Sequence, residues 1–178
     1  MHEEYLDVLN EKGEKTGVAK SYADVHKEGL PHRSAHVWIF NSEKKLLIQK
    51  RASTRQSYPE HWDMSVEGHV SVGQTSLEAA IRETKEELGI DISDSSFKYL
   101  FSTEEHVVLN NGSYINNEFQ DVYLVQLDTP TPDIKFTDGE VSEIKWVSVE
   151  EFKDLLDNQK LNFVPHYSEY KKIFDFLN

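Results

Sequence analysis

The stretch over residues 75–88 is the clearest helix in the sequence and constrains the rest of the chain most strongly. Thr75 and Glu78 have the spacing of a capping box, so Thr75 is predicted to be the N-cap, and Gly89 is placed to end the helix. At about 100° per residue, one stripe of the helix is predicted to pack into the core. That stripe consists of Leu77, Ala80, Ile81, Thr84 and Leu88.

Three glutamates form a second face of the same helix. Glu83, Glu86 and Glu87 stand at spacings i, i+3 and i+4, so their carboxylates share one turn and repel one another. Arg82 and Lys85 compensate in part. A divalent cation such as Mg²⁺ or Mn²⁺ would compensate more, because hard cations prefer oxygen ligands. The alternative is a solvated acidic surface, which is the usual meaning of a charge run.

The residues before this helix complete a motif. From Gly68 to Ile90 the sequence resembles the Nudix box: Gly, five residues, Glu, seven residues, then Arg-Glu-aliphatic-x-Glu-Glu-x-Gly-aliphatic. Two positions differ from the family: Gln74 replaces the first Glu and Thr84 replaces an aliphatic residue. We expect Gln74 to weaken a supporting role in the loop, and Thr84 to cost only packing. The matching positions are Gly68, Arg82, Glu83, Glu86, Glu87, Gly89 and Ile90.

The resemblance implies a Mg²⁺-dependent (or Mn²⁺-dependent) hydrolase that cleaves a diphosphate bond in a nucleoside diphosphate derivative or another small organic diphosphate. Such a reaction needs charge neutralisation on the phosphate oxygens and an oriented water, and bound metal supplies both. The resemblance implies that Glu83 and Glu87 are direct metal ligands and that Glu86 is a third or a water-mediated ligand. By the same analogy Arg82 is structural, and the carbonyl of Glu67 could face the metal.

The flanking sequence is similar to a subgroup of the superfamily, the type I isopentenyl diphosphate isomerases and their hydrolase relatives, over about residues 4–160. The likeness lies in residues 32–41 and 46–51, and in Pro59 and Trp62. The isomerase metal cluster uses His and Glu. Four of its ligands have counterparts here: His26 (one residue out of register), His32, His69 and Glu118.

Two departures from the isomerase pattern count against isomerase activity. Isomerase activity remains one alternative, and a non-catalytic diphosphate-binding module is another. The isomerase requires a Cys directly before Gly68 and His69, and that residue is Glu67 here. Asn116 stands where a further Glu is expected. His32 and His69 are either metal ligands or ordinary structural histidines.

A catalytic base is expected from outside the box. Glu118 opens a predicted strand near the metal helix and is the first candidate, and Glu67 is the second; the alternative is a plain strand-edge carboxylate. Several cationic and aromatic side chains could face the substrate, although Trp38 lies in an apolar strand and is expected in the core. They are Lys50, Arg51, Arg55, Trp38, Tyr58 and Trp62.

Composition limits the partners. Lys plus Arg is 19 and Asp plus Glu is 32, a net charge of −13, so nucleic-acid binding is disfavoured while a small phosphorylated ligand needs a bridging cation. The sequence has no cysteine, which excludes disulfides, thiolate zinc sites and cysteine nucleophiles. No secretory leader and no apolar run of about 20 residues is visible, so we expect a cytoplasmic protein without a membrane partner.

The pattern of strands and helices predicts an α/β (α+β) fold, and the resemblance specifies a Nudix-type α/β/α sandwich with a mixed sheet and an N-terminal β-hairpin extension. We expect one domain over residues 1–178, made of the hairpin extension (1–30), a core (33–160) and a C-terminal helix (164–178). The hairpin could pair with a second subunit, so a homodimer stays open. Strands are predicted at residues 5–9, 16–19, 35–41, 45–50, 62–66, 99–109, 118–127 and 143–147, and further helices at 22–27, 149–156 and 167–176.

Overall fold

The computed structural model describes residues 4–129, 134–136 and 139–177, and the predicted mixture of strands and helices is confirmed. Residues 128–138 include two prolines, for which the sequence predicts a loop, and they lie partly outside the described residues. The strands are β1 (Tyr5–Leu9), β2 (Lys15–Ser21), β3 (His32–Phe40), β4 (Leu46–Arg51), β5 (Trp62–Asp63), β6 (Val66–His69), β7 (Lys98–Leu109), β8 (Tyr114–Gln126) and β9 (Val141–Val147). The helices are α1 (Tyr22–Glu28), α2 (Ser76–Leu88), α3 (Val149–Asp157) and α4 (Tyr167–Leu177).

The main sheet is mixed, as expected for the fold. Its order is β5-β4-β3-β8-β7, with β6 also paired to β3 and β9 to β4. β3 and β8 run parallel in unbroken register from His32 opposite Glu118 to Phe40 opposite Gln126, and the other pairs are antiparallel. This register places His32, the first residue of β3, beside Glu118, the fifth residue of β8, which brings two of the predicted site residues together.

Alternate residues of the central strands build two separate cores, so the sheet is covered on both faces. Trp38 and Val122 pack with α3 and α4 on one face. Val37 and Tyr123, each one position away along the same strands, pack with α2 on the other. A strand buried on both sides requires a helical layer on each, so the α/β/α sandwich is confirmed.

The ends of α1 and α2 follow from local sequence. The Thr75 side chain accepts from the backbone of Glu78, the side chain of Glu78 bonds back, and Gly89 is left-handed at φ 65°, as the capping box predicted. α1 begins after the Ser21 cap and ends at Gly29, also left-handed. None of the helices in the described ranges has the length and apolar character needed to span a bilayer.

The strand predicted over residues 62–66 is wrong in one respect: it is two short strands separated at Met64 and Ser65. The Ser65 hydroxyl accepts from the backbone of Ile39 at 2.7 Å and donates to the carbonyl of Leu47 at 2.6 Å. Because this side chain satisfies backbone groups of two neighbouring strands, the ladder is interrupted there. The chain then re-aligns so that β6 pairs with β3 and delivers residues 67–69 to the site.

The N-terminal hairpin packs on the loop that precedes α2. β1 and β2 form their own two-stranded sheet, and Leu6 makes an isolated bridge to Ser71. The backbone N–H of Val72 donates to the carbonyl of Tyr5 at 2.8 Å. Leu6 is fully buried, so the hairpin is fixed against the loop by packing as well as by hydrogen bonds.

Candidate active site

A cleft of about 600 Å³ opens between α2, the end of β6 and the N-terminal hairpin. Residues predicted from the motif and residues from the hairpin share its walls, which include Glu4, Tyr22, Arg55, Glu67, Glu83 and Glu86. Its polar lining fits a charged ligand. Because carboxylates lie along one side, an anionic ligand would bind there together with cations.

Gly68 lies directly against the carboxylate of Glu83 at the base of this cleft. A β-carbon built on Gly68 would lie 2.0 Å from Cδ and 2.2 Å from Oε1 of Glu83, so no other residue fits without moving the carboxylate. Glu83 is only 9% exposed. Burial raises the pKa of Glu83 to about 7; Arg82 opposes the rise and Glu86 adds to it. A bound cation would stabilise the ionised form of this buried carboxyl.

Glu87 is more deeply buried than Glu83, at 2% exposed, and it accepts a hydrogen bond from Nε2 of Gln49 at 3.0 Å. The alternative of a solvated acidic surface therefore does not hold for these two residues, whereas the side chain of Glu86 is half exposed. The helix turns its acidic face toward β4, where the buried Gln49 supplies a polar partner. Two buried carboxylates on one turn are costly unless a cation or donors compensate them.

Arg82 pairs with its neighbours as predicted. Its Nη1 is 2.8 Å from Oε1 of Glu83 and 2.9 Å from Oε2 of Glu86, and its Nη2 donates to the carbonyl of His69 at 2.9 Å. The guanidinium thus joins the glutamate face of α2 to the end of β6.

A second cluster forms where the start of β3 lies beside Glu118 of β8. One ligand atom each of His26, His32, His69 and Glu118 lies within 4.8 Å of the others. Nε2 of His32 and of His69 lies 3.3 Å and 3.2 Å from Oε1 of Glu118. His26 joins despite its displaced position in the sequence, because α1 points it inward.

The histidines of this cluster are oriented for metal binding. Nδ1 of His26 is bonded to the carbonyl of Tyr22 at 2.8 Å and Nδ1 of His32 to that of Leu30 at 2.9 Å, which leaves both Nε2 atoms facing the cluster. Within the described residues, the buried Nε2 atoms of His26, His32 and His69 have no partner in hydrogen-bond geometry. Burial and the neighbouring His69 lower the pKa of His26 to about 4, so it is a neutral imidazole. Orphaned ring nitrogens with a carboxylate fit a divalent metal ion.

The two candidate bases are both strongly acidic carboxyl groups here. Burial alone would raise the pKa of Glu118, but His32 and His69 outweigh burial and hold it well below its usual value. Burial would likewise raise the pKa of Glu67, but Arg51 outweighs it and lowers the pKa to about 2. Neither pKa is raised, because Arg51 is paired with Glu67 and two histidines face Glu118.

The comparisons with known proteins agree with this geometry. Residues 30–167, more than three quarters of the chain, match the NUDIX domain family. The chain belongs to the Nudix family. Nudix hydrolase 3 of Arabidopsis thaliana is 44% identical over 99% of the chain, but the chain spans only 24% of that relative's length. An uncharacterized Nudix hydrolase of Listeria monocytogenes is 33% identical over 92% of the chain and 90% of its own length.

One similar sequence supports the resemblance to isomerases, and one similar crystal structure supports the fold. An isopentenyl-diphosphate Delta-isomerase of Escherichia coli is 27% identical over 93% of the chain and 88% of its own length. The crystal structure of DR0079 from Deinococcus radiodurans has a TM-score of 0.75 at 23% identity and covers 95% of this chain and 98% of that one. The likeness to that structure concerns the fold alone.

The two departures from the Nudix box lie away from the carboxylate face. Gln74 borders a separate groove with Asp7 and Lys15 and does not line the cleft. Thr84 is buried, and its hydroxyl donates to the carbonyl of Ala80 at 2.7 Å within the helix. Thr84 thus satisfies its polar group locally, which agrees with the expected cost in packing only.

Arg51 is not free to bind substrate in this structure of the Nudix domain. It is 3% exposed, it forms ion pairs with Glu67 and with Asp63, and its Nη2 donates to Oγ of Ser57 at 2.8 Å. Its place is to hold Glu67. Lys50 lies 3.8 Å from Glu60 and does not line the cleft.

Of the other proposed substrate-side groups, Arg55 lines the cleft, where it pairs with Glu140. Tyr58 borders a small side pocket next to Glu67. Trp38 is fully buried, as expected. Trp62 is 6% exposed, belongs to the same core and does not line the cleft.

Sequence reasoning missed a buried polar network behind the cleft. Glu169 on α4 accepts from Nδ1 of His36 at 2.9 Å and from Nε1 of Trp38 at 2.6 Å. One ligand atom of His36 lies within 4.8 Å of those of Glu67 and Glu118. Burial would lower the pKa of His36, but Glu169 outweighs it and raises the pKa to about 9. A charged residue inside the apolar run of β3 was the one available signal.

Proposed function

We propose that this Nudix domain hydrolyses a diphosphate bond in a small organic diphosphate, with nucleoside diphosphate derivatives as the first class to test. One observation carries the proposal: Glu83 and Glu87 are buried on one turn of α2, with Glu83 pressed against Gly68. A surface helix has no reason to bury two carboxylates in this way, whereas a cation site does.

Mg²⁺ or Mn²⁺ fits the donor set of Glu83, Glu86 and Glu87, which offers carboxylate oxygens only. Bound there, the ion would neutralise charge on the phosphate oxygens and activate a water. Glu83 and Glu87 are the proposed direct ligands and Glu86 the more exposed third. Before an ion binds, Arg82 pairs with Glu83 and Glu86. Arg55 on the wall of the cleft is placed to meet a phosphate group.

Glu118 is the first and Glu67 the second proposed group for the attacking water. Both carboxyls stay ionised at neutral pH because their pKa values are low. Such weakly basic carboxylates orient a water by accepting its hydrogen bonds, and they hold its proton poorly. His32, His69 and Glu118, joined by His26, are proposed as a second cation site.

Isopentenyl diphosphate isomerisation is the second candidate, and the histidine cluster is the observation that favours it. The reaction needs a proton donor at the position of Glu67. Here Glu67 is ion-paired with Arg51 and its pKa is about 2, so it carries no proton to give at neutral pH. Hydrolysis therefore ranks first. A cytoplasmic location and a homodimer stay predictions of the sequence.

The test is a screen of nucleotide sugars, dinucleotides, nucleoside diphosphates and isoprenoid diphosphates with Mg²⁺ or Mn²⁺. We expect hydrolysis of at least one nucleotide class, abolished by EDTA while the far-UV circular dichroism spectrum is retained, because the two cores fold without metal. Hydrolysis that survives EDTA, or a spectrum that collapses on chelation, would contradict the proposal.

A further inference from the structure

Arg82 occupies the carboxylates that the proposed metal ion needs. Its Nη1 lies 2.8 Å from Oε1 of Glu83 and 2.9 Å from Oε2 of Glu86, so one guanidinium is shared between the two carboxylates. A divalent ion that binds these oxygens competes with Arg82 for them. The cost of displacing the guanidinium depends on whether another anion is within reach.

Glu4 provides a carboxylate on the same cleft. It lies just before β1, and both Glu4 and Arg82 line the cleft. The Ser71 hydroxyl donates to Oε1 of Glu4 at 2.8 Å, and the backbone N–H of Tyr22 donates to its carbonyl at 2.8 Å. Within the part of the chain that the structure describes, no donor is bonded to its Oε2.

Glu4 also interacts electrostatically with Arg82. Burial would lower the pKa of Arg82, but Glu83, Glu86 and, more weakly, Glu4 raise it. Arg82 moreover keeps a buried Nε without a partner among the described residues, so its present position leaves one donor unused.

We propose that Glu4 is a positioning residue of the metal centre. Its carboxylate receives the guanidinium of Arg82 when a divalent ion binds the oxygens of Glu83 and Glu86. The inference rests on the proposed function for the location of that ion. It gives the N-terminal hairpin, which precedes the matched residues 30–167, a part in the site. Ser71 has the supporting role of holding the Glu4 carboxylate in place.

The experiment titrates Mn²⁺ into the metal-free protein by calorimetry, without substrate. We expect Glu4→Gln to raise the Kd of the α2 site about tenfold, the scale for residues that orient metal ligands. Glu11→Gln, on the exposed turn of the same hairpin, removes the same charge and should leave the Kd unchanged. Ser71→Ala keeps the charge but frees the carboxylate, so a smaller rise is expected. Thermal unfolding in EDTA verifies that each variant is folded.

A double-mutant cycle with Arg82→Gln shows whether Glu4 acts through Arg82. We expect Glu4→Gln to have no further effect on the Kd in that background. Equal Kd values for the wild type and Glu4→Gln would overturn the proposal. So would an undiminished effect of Glu4→Gln in the Arg82→Gln protein, since Glu4 would then act on the ion directly.

Glu87→Gln separates this inference from the proposed function. The histidine cluster can bind Mn²⁺ as well. In the titration, the α2 site is therefore identified as the Mn²⁺ binding that is lost in Glu87→Gln. If Glu87→Gln removes none, the metal centre on α2 is wrong. If it removes one class while Glu4→Gln changes nothing, only the role of Glu4 fails.

Discussion

Gly68 and Glu83 are in such close contact that a β-carbon at position 68 would lie 2.0 Å from Cδ of the glutamate. The two residues come from different elements, β6 and α2, and their approach fixes the carboxylate at the base of the cleft. Gly68 does not have a positive φ, so its missing side chain serves this approach and not a special backbone conformation.

Gly68→Ala should therefore displace Glu83 and lower kcat by about 100-fold, the usual cost of moving a reacting group by about 1 Å. Gly112→Ala is the control for kcat, because a β-carbon there meets no atom within 4 Å and the residue lies outside the cleft. Its φ of 88° makes the substitution costly in stability, so kcat is compared at a temperature at which both variants are folded. Steady-state kinetics with the substrate found in the screen measures both. Equal kcat values for the two variants would show that Glu83 does not need its present position.

Glu87→Gln should keep the fold and lose most turnover. The amide can still offer an oxygen to Gln49, so the free energy of unfolding should change by no more than about 1 kcal/mol. Loss of a metal ligand should raise the activation free energy by about 3 kcal/mol or more, over a hundredfold in rate. Urea unfolding and kcat at saturating Mg²⁺ measure the two effects. Near-native turnover would remove Glu87 from the ligand set.

The pKa of Glu83, about 7 in the folded protein, predicts a pH dependence of stability without metal. Because the folded pKa is raised above the unfolded value, the stabilisation is fully present below the unfolded pKa and is lost as pH rises through 7. Between pH 5 and pH 8 in EDTA, the wild type should lose up to about 3 kcal/mol relative to Glu83→Gln. Urea unfolding at both pH values measures the difference. Parallel behaviour of the two proteins would contradict the shift.

The ion pair of Arg51 with Glu67 predicts that isopentenyl diphosphate is not isomerised. Proton addition at an alkene carbon needs an acid, and Glu67 is held as a carboxylate with a pKa of about 2. The assay incubates isopentenyl diphosphate with the protein and Mg²⁺ or Mn²⁺ in deuterated water. Deuterium in recovered dimethylallyl diphosphate would reverse the ranking and make Glu67 the acid.

Features set by neighbouring residues were predictable from the sequence. The capping box at Thr75, the stop at Gly89 and the grouping of the three glutamates depend on the geometry of one helix, which a sequence pattern describes completely. The gathering of His32 and Glu118 followed from the isomerase resemblance and is confirmed in space by the β3–β8 register.

Features set by distant partners were not predictable. The helix pattern separates the faces of α2 but does not say which strand covers each, so the burial of Glu87 against Gln49 was missed. The sequence presents Arg51 only as a candidate substrate contact, because no residue near it in the sequence indicates that it pairs with Glu67 and Asp63. A long cationic side chain is usually exposed, and only the fold shows that this one is enclosed.

The hydrogen bond between His36 and Glu169 spans 133 residues. During synthesis, His36 on β3 cannot form its hydrogen bond to Glu169 until α4 has left the ribosome. A histidine that is fully buried and unpaired is unfavourable, so a β-sheet that closes earlier carries an uncompensated polar group at its centre. Such long-range dependence also slows folding. We therefore expect variants truncated before Glu169 to remain protease-sensitive, whereas in the full chain the sheet and the cleft become resistant together in a single late step.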